Sequence, residues 1–256
     1  MSDELIRVED LSFTYPDGTR ALESVSFTIA CGEKVALAGP NGAGKSTLLL
    51  LLCGVLHEHW EGSVEVCGLP LRKGDLRSIR QRLGLVFQNP DDQLFCPTVG
   101  EDVAFGPRNQ KLSEEETAGR VGRSLAAVGL AGFEHRSAHH LSGGEKRRAA
   151  IAAVLACQPK VLALDEPWAN LDARASHAVT EILRAFKGTL LLASQDLYHA
   201  AEVCNRLVVL DGGKVAADGP IRNLLADRAL LGAHGLEFGA RCKECPYRPA
   251  PAIRQF

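Results

Sequence analysis

The chain has no excess of either charge: 29 lysines and arginines stand against 31 aspartates and glutamates, a formal net charge of −2. Nucleic-acid binders usually carry a basic excess, so nucleic acid is not expected as a partner. There is no run of eighteen apolar residues. The longest apolar stretch, LLLLLCGV at residues 48–55, makes only about two helical turns and reads as a buried helix, not a span. The opening MSDELIRVED has no basic-then-apolar leader pattern, so the expectation is a cytosolic chain that reaches a membrane only through partners. No internal repeat is visible. Six of the eight cysteines, Cys31, Cys53, Cys67, Cys96, Cys157 and Cys204, stand alone among apolar neighbours. They are expected as small buried hydrophobes of a reducing compartment.

The 256 residues suffice for one full core, or a core with a subdomain. Alternation predicts strands over residues 5–13 and 21–29, separated by the turn YPDGT. CGE then turns into a short apolar strand over 34–38, and 64–67 joins the antiparallel group. LGLVFQ at 83–88 reads as a further apolar strand. Residues 89–144 change character to charged, helical and loop-rich sequence. Within them 113–128 reads as an amphipathic helix, with Ser113 and Glu116 spaced for a capping box. Helices over 145–156, 173–186 and 197–204 then alternate with strands over 161–164, 189–193 and 207–210. DGGK turns into a last strand over 215–218. This alternation predicts an α/β core with a mostly parallel sheet, plus an N-terminal antiparallel β subdomain and an inserted helical subdomain at about 89–156. The domain is expected over 1–230, followed by an irregular tail over 231–256.

Gly39-Pro40-Asn41-Gly42-Ala43-Gly44-Lys45-Ser46-Thr47 fits GxxxxGK[ST] at a strand-to-helix junction. That is a phosphate cradle. Glycines let successive N–H groups face a β-phosphate, and the helix dipole points at the same anion. Lys45 is expected on the β- and γ-phosphates and Ser46 on Mg²⁺. ATP and Mg²⁺ are thus the expected ligands. VLAL then delivers Asp165 and Glu166 at a strand end. Asp165 suits a supporting place behind the magnesium site, and Glu166 can orient or deprotonate a water.

LSGGEKRRAA at residues 141–150 is a second glycine-rich turn opening a second helix. With the motifs above it makes the chain resemble the ATPase subunits of ABC transporters, over about residues 5–225. The resemblance implies a P-loop NTPase fold and head-to-tail pairing. Ser142, Gly143, Gly144 and Glu145 would meet the ATP held by the other subunit. It also implies Tyr15 stacking on adenine, Gln88 sensing Mg²⁺ and the membrane partner, and Asp172 linking the two nucleotide sites. Trp168 takes a place that is usually small or polar in that family. FQNPDDQLFCPTVGEDVAFGPRN at 87–109, with Asp91, Asp92, Gln93 and Leu94, resembles the energy-coupling-factor group more narrowly. Those ATPases work with an integral-membrane T component and a substrate-binding S component. The resemblance implies import of cobalt or nickel, or of a biotin-type vitamin. The ATPase would pair with itself or with a paralogous ATPase at the cytoplasmic face of the cell membrane.

One position departs from the family. Gln195, in Ser194-Gln195-Asp196, stands where a histidine is usual. Its amide can donate a hydrogen bond toward a γ-phosphate but cannot become a cation. This leaves open a hydrolysing subunit or a poorly hydrolysing structural one. A soluble, non-transport ABC ATPase is a third reading. Cys242 and Cys245 form a lone CxxC that is incidental, metal-binding or a redox pair. His234 is the one nearby third metal ligand, and His57 and His59 are expected as surface residues.

Overall fold

The structure, a computed structural model, describes residues 4–236. Two sheets organise it. The first is antiparallel, in the order β2 (Arg20–Ala30), β1 (Glu4–Thr14), β4 (Trp60–Val66) and β5 (Leu69–Pro70). The second has the order β10 (Lys214–Pro220), β9 (Arg206–Asp211), β3 (Lys34–Ala38), β8 (Thr189–Ala193), β7 (Val161–Asp165) and β6 (Leu83–Val86). All its pairings are parallel except that of β10 with β9.

The apolar runs of the second sheet follow from burial on both faces. Successive side chains of a strand point to opposite faces, so a sheet covered on both sides needs continuous apolar sequence. Val35 and Leu37 of β3, Val161 and Ala163 of β7, and Leu191 and Ala193 of β8 enter the core shared with the first sheet. Their neighbours Ala36, Ala38, Leu162, Leu164, Leu190 and Leu192 enter a second core, shared with helices.

The helices are α1 (Lys45–Leu52), α2 (Leu76–Arg82), α3 (Val99–Asn109), α4 (Glu114–Ala127), α5 (Gly143–Leu155), α6 (Ala173–Ala185), α7 (Leu197–Val203), α8 (Ile221–Ala226) and α9 (Arg228–Ala233). Leu48, Leu49, Leu51 and Leu52 of α1 are buried, as expected of a core helix, but the helix stops at Leu52 and Val55, expected within it, is exposed. Helices α3, α4 and α5 pack together through Val99, Val103, Val121, Leu125, Ala149 and Ala150 and form the inserted helical part.

Several expectations need correction. Ser113 does cap α4, accepting from the Glu116 N–H. The reciprocal half of the box is missing there, because the Glu116 carboxylate turns to Arg120 at 3.2 Å. Full capping boxes form instead at Thr98–Glu101 on α3 and Ser142–Glu145 on α5. The strand expected over 83–88 stops at Val86, and β4 begins at Trp60. Helices α2 and α8 were not anticipated; each is too short for a helical period to show. The expected boundary at residue 230 falls inside α9, so residues 231–233 are helical. Cys53 and Cys204 are buried as expected, whereas Cys31 is exposed on a turn. Cys242 and Cys245 lie outside the described residues. His234 does not: its Nδ1 meets Asp211 Oδ2 at 2.8 Å.

Candidate functional site

The strand order β3-β8-β7-β6 places four chain exits side by side. Because these strands are parallel, all four leave at the same sheet edge, where α/β folds form ligand crevices. Residues 39–45 follow β3, Ser194 and Gln195 follow β8, Asp165 ends β7 and Glu166 follows it, and Phe87 and Gln88 follow β6.

In the first exit the glycines answer to steric demands. Gly44, the N-cap of α1, has φ +100°, and a Cβ there would lie 2.5 Å from the Ala21 carbonyl oxygen. A Cβ on Gly39 would fall on the Leu210 carbonyl oxygen, whereas Gly42 faces open space. The Lys45 ammonium is folded back into the loop, donating to the Gly39 oxygen at 2.7 Å and the Pro40 oxygen at 3.0 Å. Burial lowers its proton affinity, while the Glu166 and Asp165 carboxylates oppose that shift. Tyr15 packs edge-on against Phe13, and its hydroxyl is 3.0 Å from Thr47 Oγ1. The aromatic ring expected over adenine is thereby tied to the start of α1.

Ser46, Gln88 and Asp165, far apart in sequence, line one cavity of about 310 Å³ together with Leu49, Leu85, Phe87 and Asp92. Asp165 Oδ1 is buried without a hydrogen-bond partner among the described residues. Burial raises the Asp165 pKa, opposed by the Ser46 hydroxyl, Lys45 and Arg147. The Ser46 hydroxyl, the Gln88 amide and the Asp165 carboxylate lining one space supply hard oxygen donors of the kind Mg²⁺ prefers. The open glycine cradle beside them suits a polyphosphate. The residues present therefore fit Mg²⁺ and ATP.

Glu166 has a left-handed backbone, φ 44°, unusual for a residue with a side chain. Its N–H is held by the Ala193 oxygen at 2.8 Å. Its carboxylate receives the Ser194 hydroxyl at 3.1 Å and the Gln195 N–H at 3.1 and 3.2 Å. Burial raises its pKa first of all, and those two donors and Lys45 pull it back. A partly desolvated carboxylate held by fixed donors is suited to orienting or deprotonating a water. The Gln195 side chain turns to the phosphate loop and donates through Nε2 to Asn41 Oδ1. The amide expected to point at a γ-phosphate is thus partnered within the chain.

Ser142 and Gly143 are exposed at the start of α5. Glu145 Oε2 accepts from both the Ser142 N–H and its hydroxyl at 2.8 Å. The same donors lower the Glu145 pKa. Gly144 lies against α6, where a Cβ would approach Ala175 Cβ to 2.7 Å. Asp172, expected to link two nucleotide sites, caps α6 by accepting from the Ala175 N–H at 2.7 Å. Trp168 is buried, stacks on His199 and donates to Thr180 Oγ1 at 3.1 Å. Its large ring is thus used in packing, with its N–H satisfied. Arg147 escaped the sequence reading. In KRR at 146–148 it looks like one of three surface cations, yet it is the buried one.

Residues 22–169 match the family model described as ABC transporter. A putative ABC transporter ATP-binding protein of Streptomyces coelicolor is 50% identical over 231 residues, covering 90% of this chain and 88% of the relative. The energy-coupling factor transporter ATP-binding protein EcfA of Methanothermobacter thermautotrophicus is 45% identical over 232 residues, covering 89% and 74%. Among solved structures, cbiO1 of Clostridium perfringens, part of the ABC transporter complex cbiONQ, superposes with a TM-score of 0.78 at 35% identity, covering 90% of this chain and 94% of that one. The ATP-binding cassette MJ0796, solved as a dimer in a post-hydrolysis state with ADP and Pi, gives 0.76 at 28% identity, covering 85% and 99%.

Proposed function

The chain belongs to the ABC transporter family of ATP-binding, ATP-hydrolysing subunits, and from that premise we propose that it drives an energy-coupling-factor importer whose cargo is cobalt or nickel. The observation that carries the hydrolytic part is Glu166, held by Ser194 and Gln195 beside the phosphate loop. In this reading residues 39–47 hold the phosphates, with Lys45 on the β- and γ-phosphates and Tyr15 against the adenine. Ser46 and Gln88 would hold Mg²⁺, with Asp165 as their supporting carboxylate. Bound Mg²⁺ offsets phosphate charge. Glu166 orients the water and takes its proton, and Gln195 donates toward the phosphate that leaves.

Two copies complete the machine. Ser142 and Gly143 open α5 toward solvent, with Gly144 half-buried behind them, and helix N-termini attract phosphate. In a two-fold pair each signature faces the nucleotide of the other copy, with Asp172 at the seam. The likeness to a dimeric cassette solved with ADP and Pi supports this arrangement.

The membrane side of the proposal rests on residues 87–109. Phe95 and Phe105 are 64% and 49% exposed, and their rings meet edge to face 5.1 Å apart. Buried Asp102 fixes the turn beneath them, accepting the Phe95 and Cys96 N–H groups at 2.9 Å. Such an aromatic pair, held out by a rigid turn, suits docking to a T component. No helix among the described residues is long and apolar enough to cross a membrane, so the T and S components supply the route. Likeness to EcfA and to a cbiONQ subunit supports the group, and the second supports the metal.

The test is co-expression with the T and S components of an energy-coupling-factor transporter, followed by uptake of labelled cobalt, nickel and biotin into vesicles. ATP-dependent uptake of either metal is expected, and biotin uptake alone would replace the cargo. Glu166→Gln should trap the paired state on ATP, and a strictly monomeric trapped complex would overturn the pairing.

A further inference from the structure

Arg147 lies in the second turn of α5 and is 2% exposed. It forms no ion pair among the described residues, and its Nε has no hydrogen-bond partner there. Its two terminal nitrogens have targets, both main-chain carbonyls of one short loop. Nη1 donates to the Phe87 oxygen at 2.7 Å, and Nη2 donates to the Gln88 oxygen. Burial lowers the proton affinity of Arg147, and the Asp165 and Glu166 carboxylates, near enough to oppose that shift, do not pair with it. A buried guanidinium without a paired carboxylate costs free energy, and a fold that needed only packing here would use an apolar side chain. The planar fork of arginine can fix the direction of two neighbouring carbonyls at once.

The same loop is held from its other side. Gln93 accepts from the Phe87 N–H at 3.1 Å and donates to the Ala150 oxygen of α5 at 3.0 Å. Lys146 meets Asp91 at 2.6 Å. The Phe87 peptide groups therefore have both N–H and C=O fixed, and α5 supplies most of the anchorage. Gln88 itself lines the cavity with Ser46 and Asp165.

We propose that Arg147 is a positioning residue for Gln88: by clamping the Phe87 and Gln88 carbonyls it holds the Gln88 side chain at the magnesium site of its own chain and couples that site to the signature helix. This rests on reading Gln88 as the magnesium-facing side chain. A shift of α5, whose first turn meets the other copy's nucleotide, is then felt at the Gln88 carbonyl through the Arg147 guanidinium, while the Gln93 and Lys146 links carry it to the rest of the loop.

The test uses the full chain. ATP affinity is measured by calorimetry with Mg²⁺ and with EDTA, for the wild type, Arg147→Lys, Gln88→Ala and the double variant. Arg147→Gln stands in should the lysine variant not fold. Arg147→Lys is expected to weaken ATP binding about tenfold in Mg²⁺ and by under about twofold in EDTA. In the Gln88→Ala background it should add nothing, since both act through one side chain. Amide exchange over residues 87–93 of the nucleotide-free chain should accelerate in Arg147→Lys and stay unchanged in Gln88→Ala. Additive losses, equal weakening in Mg²⁺ and EDTA, or unchanged exchange would each overturn the proposal. A wild type that binds ATP equally well in both conditions would instead overturn the reading of the magnesium site, and the role of Arg147 with it.

Discussion

Gln195 and Asn41, 154 residues apart in sequence, are joined side chain to side chain, with the Gln195 amide donating to the Asn41 carbonyl oxygen. The bond ties the exit of β8 to the phosphate loop after β3. The main-chain N–H of the same glutamine serves Glu166. One residue therefore touches both the loop that would hold phosphate and the carboxylate that would activate water.

Gln195 is expected to work as a neutral donor that exchanges Asn41 for the phosphate when ATP binds. ATP turnover of the assembled transporter should differ by less than about tenfold between Gln195 and Gln195→His, and should fall further in Gln195→Ala. The pH–rate profile of the parent should lack a histidine-like step from this position. Equal turnover in the parent and Gln195→Ala would show that the amide contributes nothing.

Glu166→Gln should cut turnover by about a hundredfold or more while sparing ATP binding. It should also stabilise the nucleotide-free chain near neutral pH. Burial raises the folded-state pKa of Glu166 above its unfolded value. Between those two values the native state binds more protons, so stability falls as pH rises through the window. The charged carboxylate thus costs stability above the folded pKa and nothing below the unfolded one. A Tm gain of about 2 °C or more is expected at pH 7.5, vanishing below about pH 4. A gain independent of pH would contradict the assignment.

Lys45→Ala should weaken ATP binding by about tenfold to a hundredfold, the range of a lost charge-assisted hydrogen bond. In the free chain the ammonium already sits on the Gly39 and Pro40 oxygens, so its loss should loosen the loop as well. Calorimetry reads the affinity, and unchanged binding would remove Lys45 from the phosphate site.

Gly44→Ala and Gly42→Ala separate backbone strain from crowding. Both positions have positive φ, but only at Gly44 does a Cβ meet other atoms, the Ala21 oxygen and Leu22. Gly44→Ala should cost about 2 kcal/mol or more, and Gly42→Ala about 1 kcal/mol. Thermal melts should rank them in that order, with a Tm separation of about 2 °C or more. Equal losses would show that crowding at Gly44 is relieved by movement of α1.

What the sequence alone determined was local. The phosphate loop, the signature turn and the Asp165–Glu166 pair are contiguous motifs whose residues do their work within a few positions of one another. The strands of the parallel sheet were legible because two-sided burial writes unbroken apolar runs. Tertiary structure decided what depends on strand order. Adjacent parallel exits brought Ser46, Gln88 and Asp165 to one cavity, and Gln195 to both Asn41 and Glu166. The capping box at Ser113 was spaced correctly yet only half formed, because Arg120 one turn on competed for Glu116. Arg147 was illegible for the same kind of reason. Its neighbours in sequence are cations that remain half-exposed, and only the packing of α5 against the exit of β6 buries Arg147 beside two carbonyls. A charge pattern records which residues ionise, whereas the fold determines which of them lose their water.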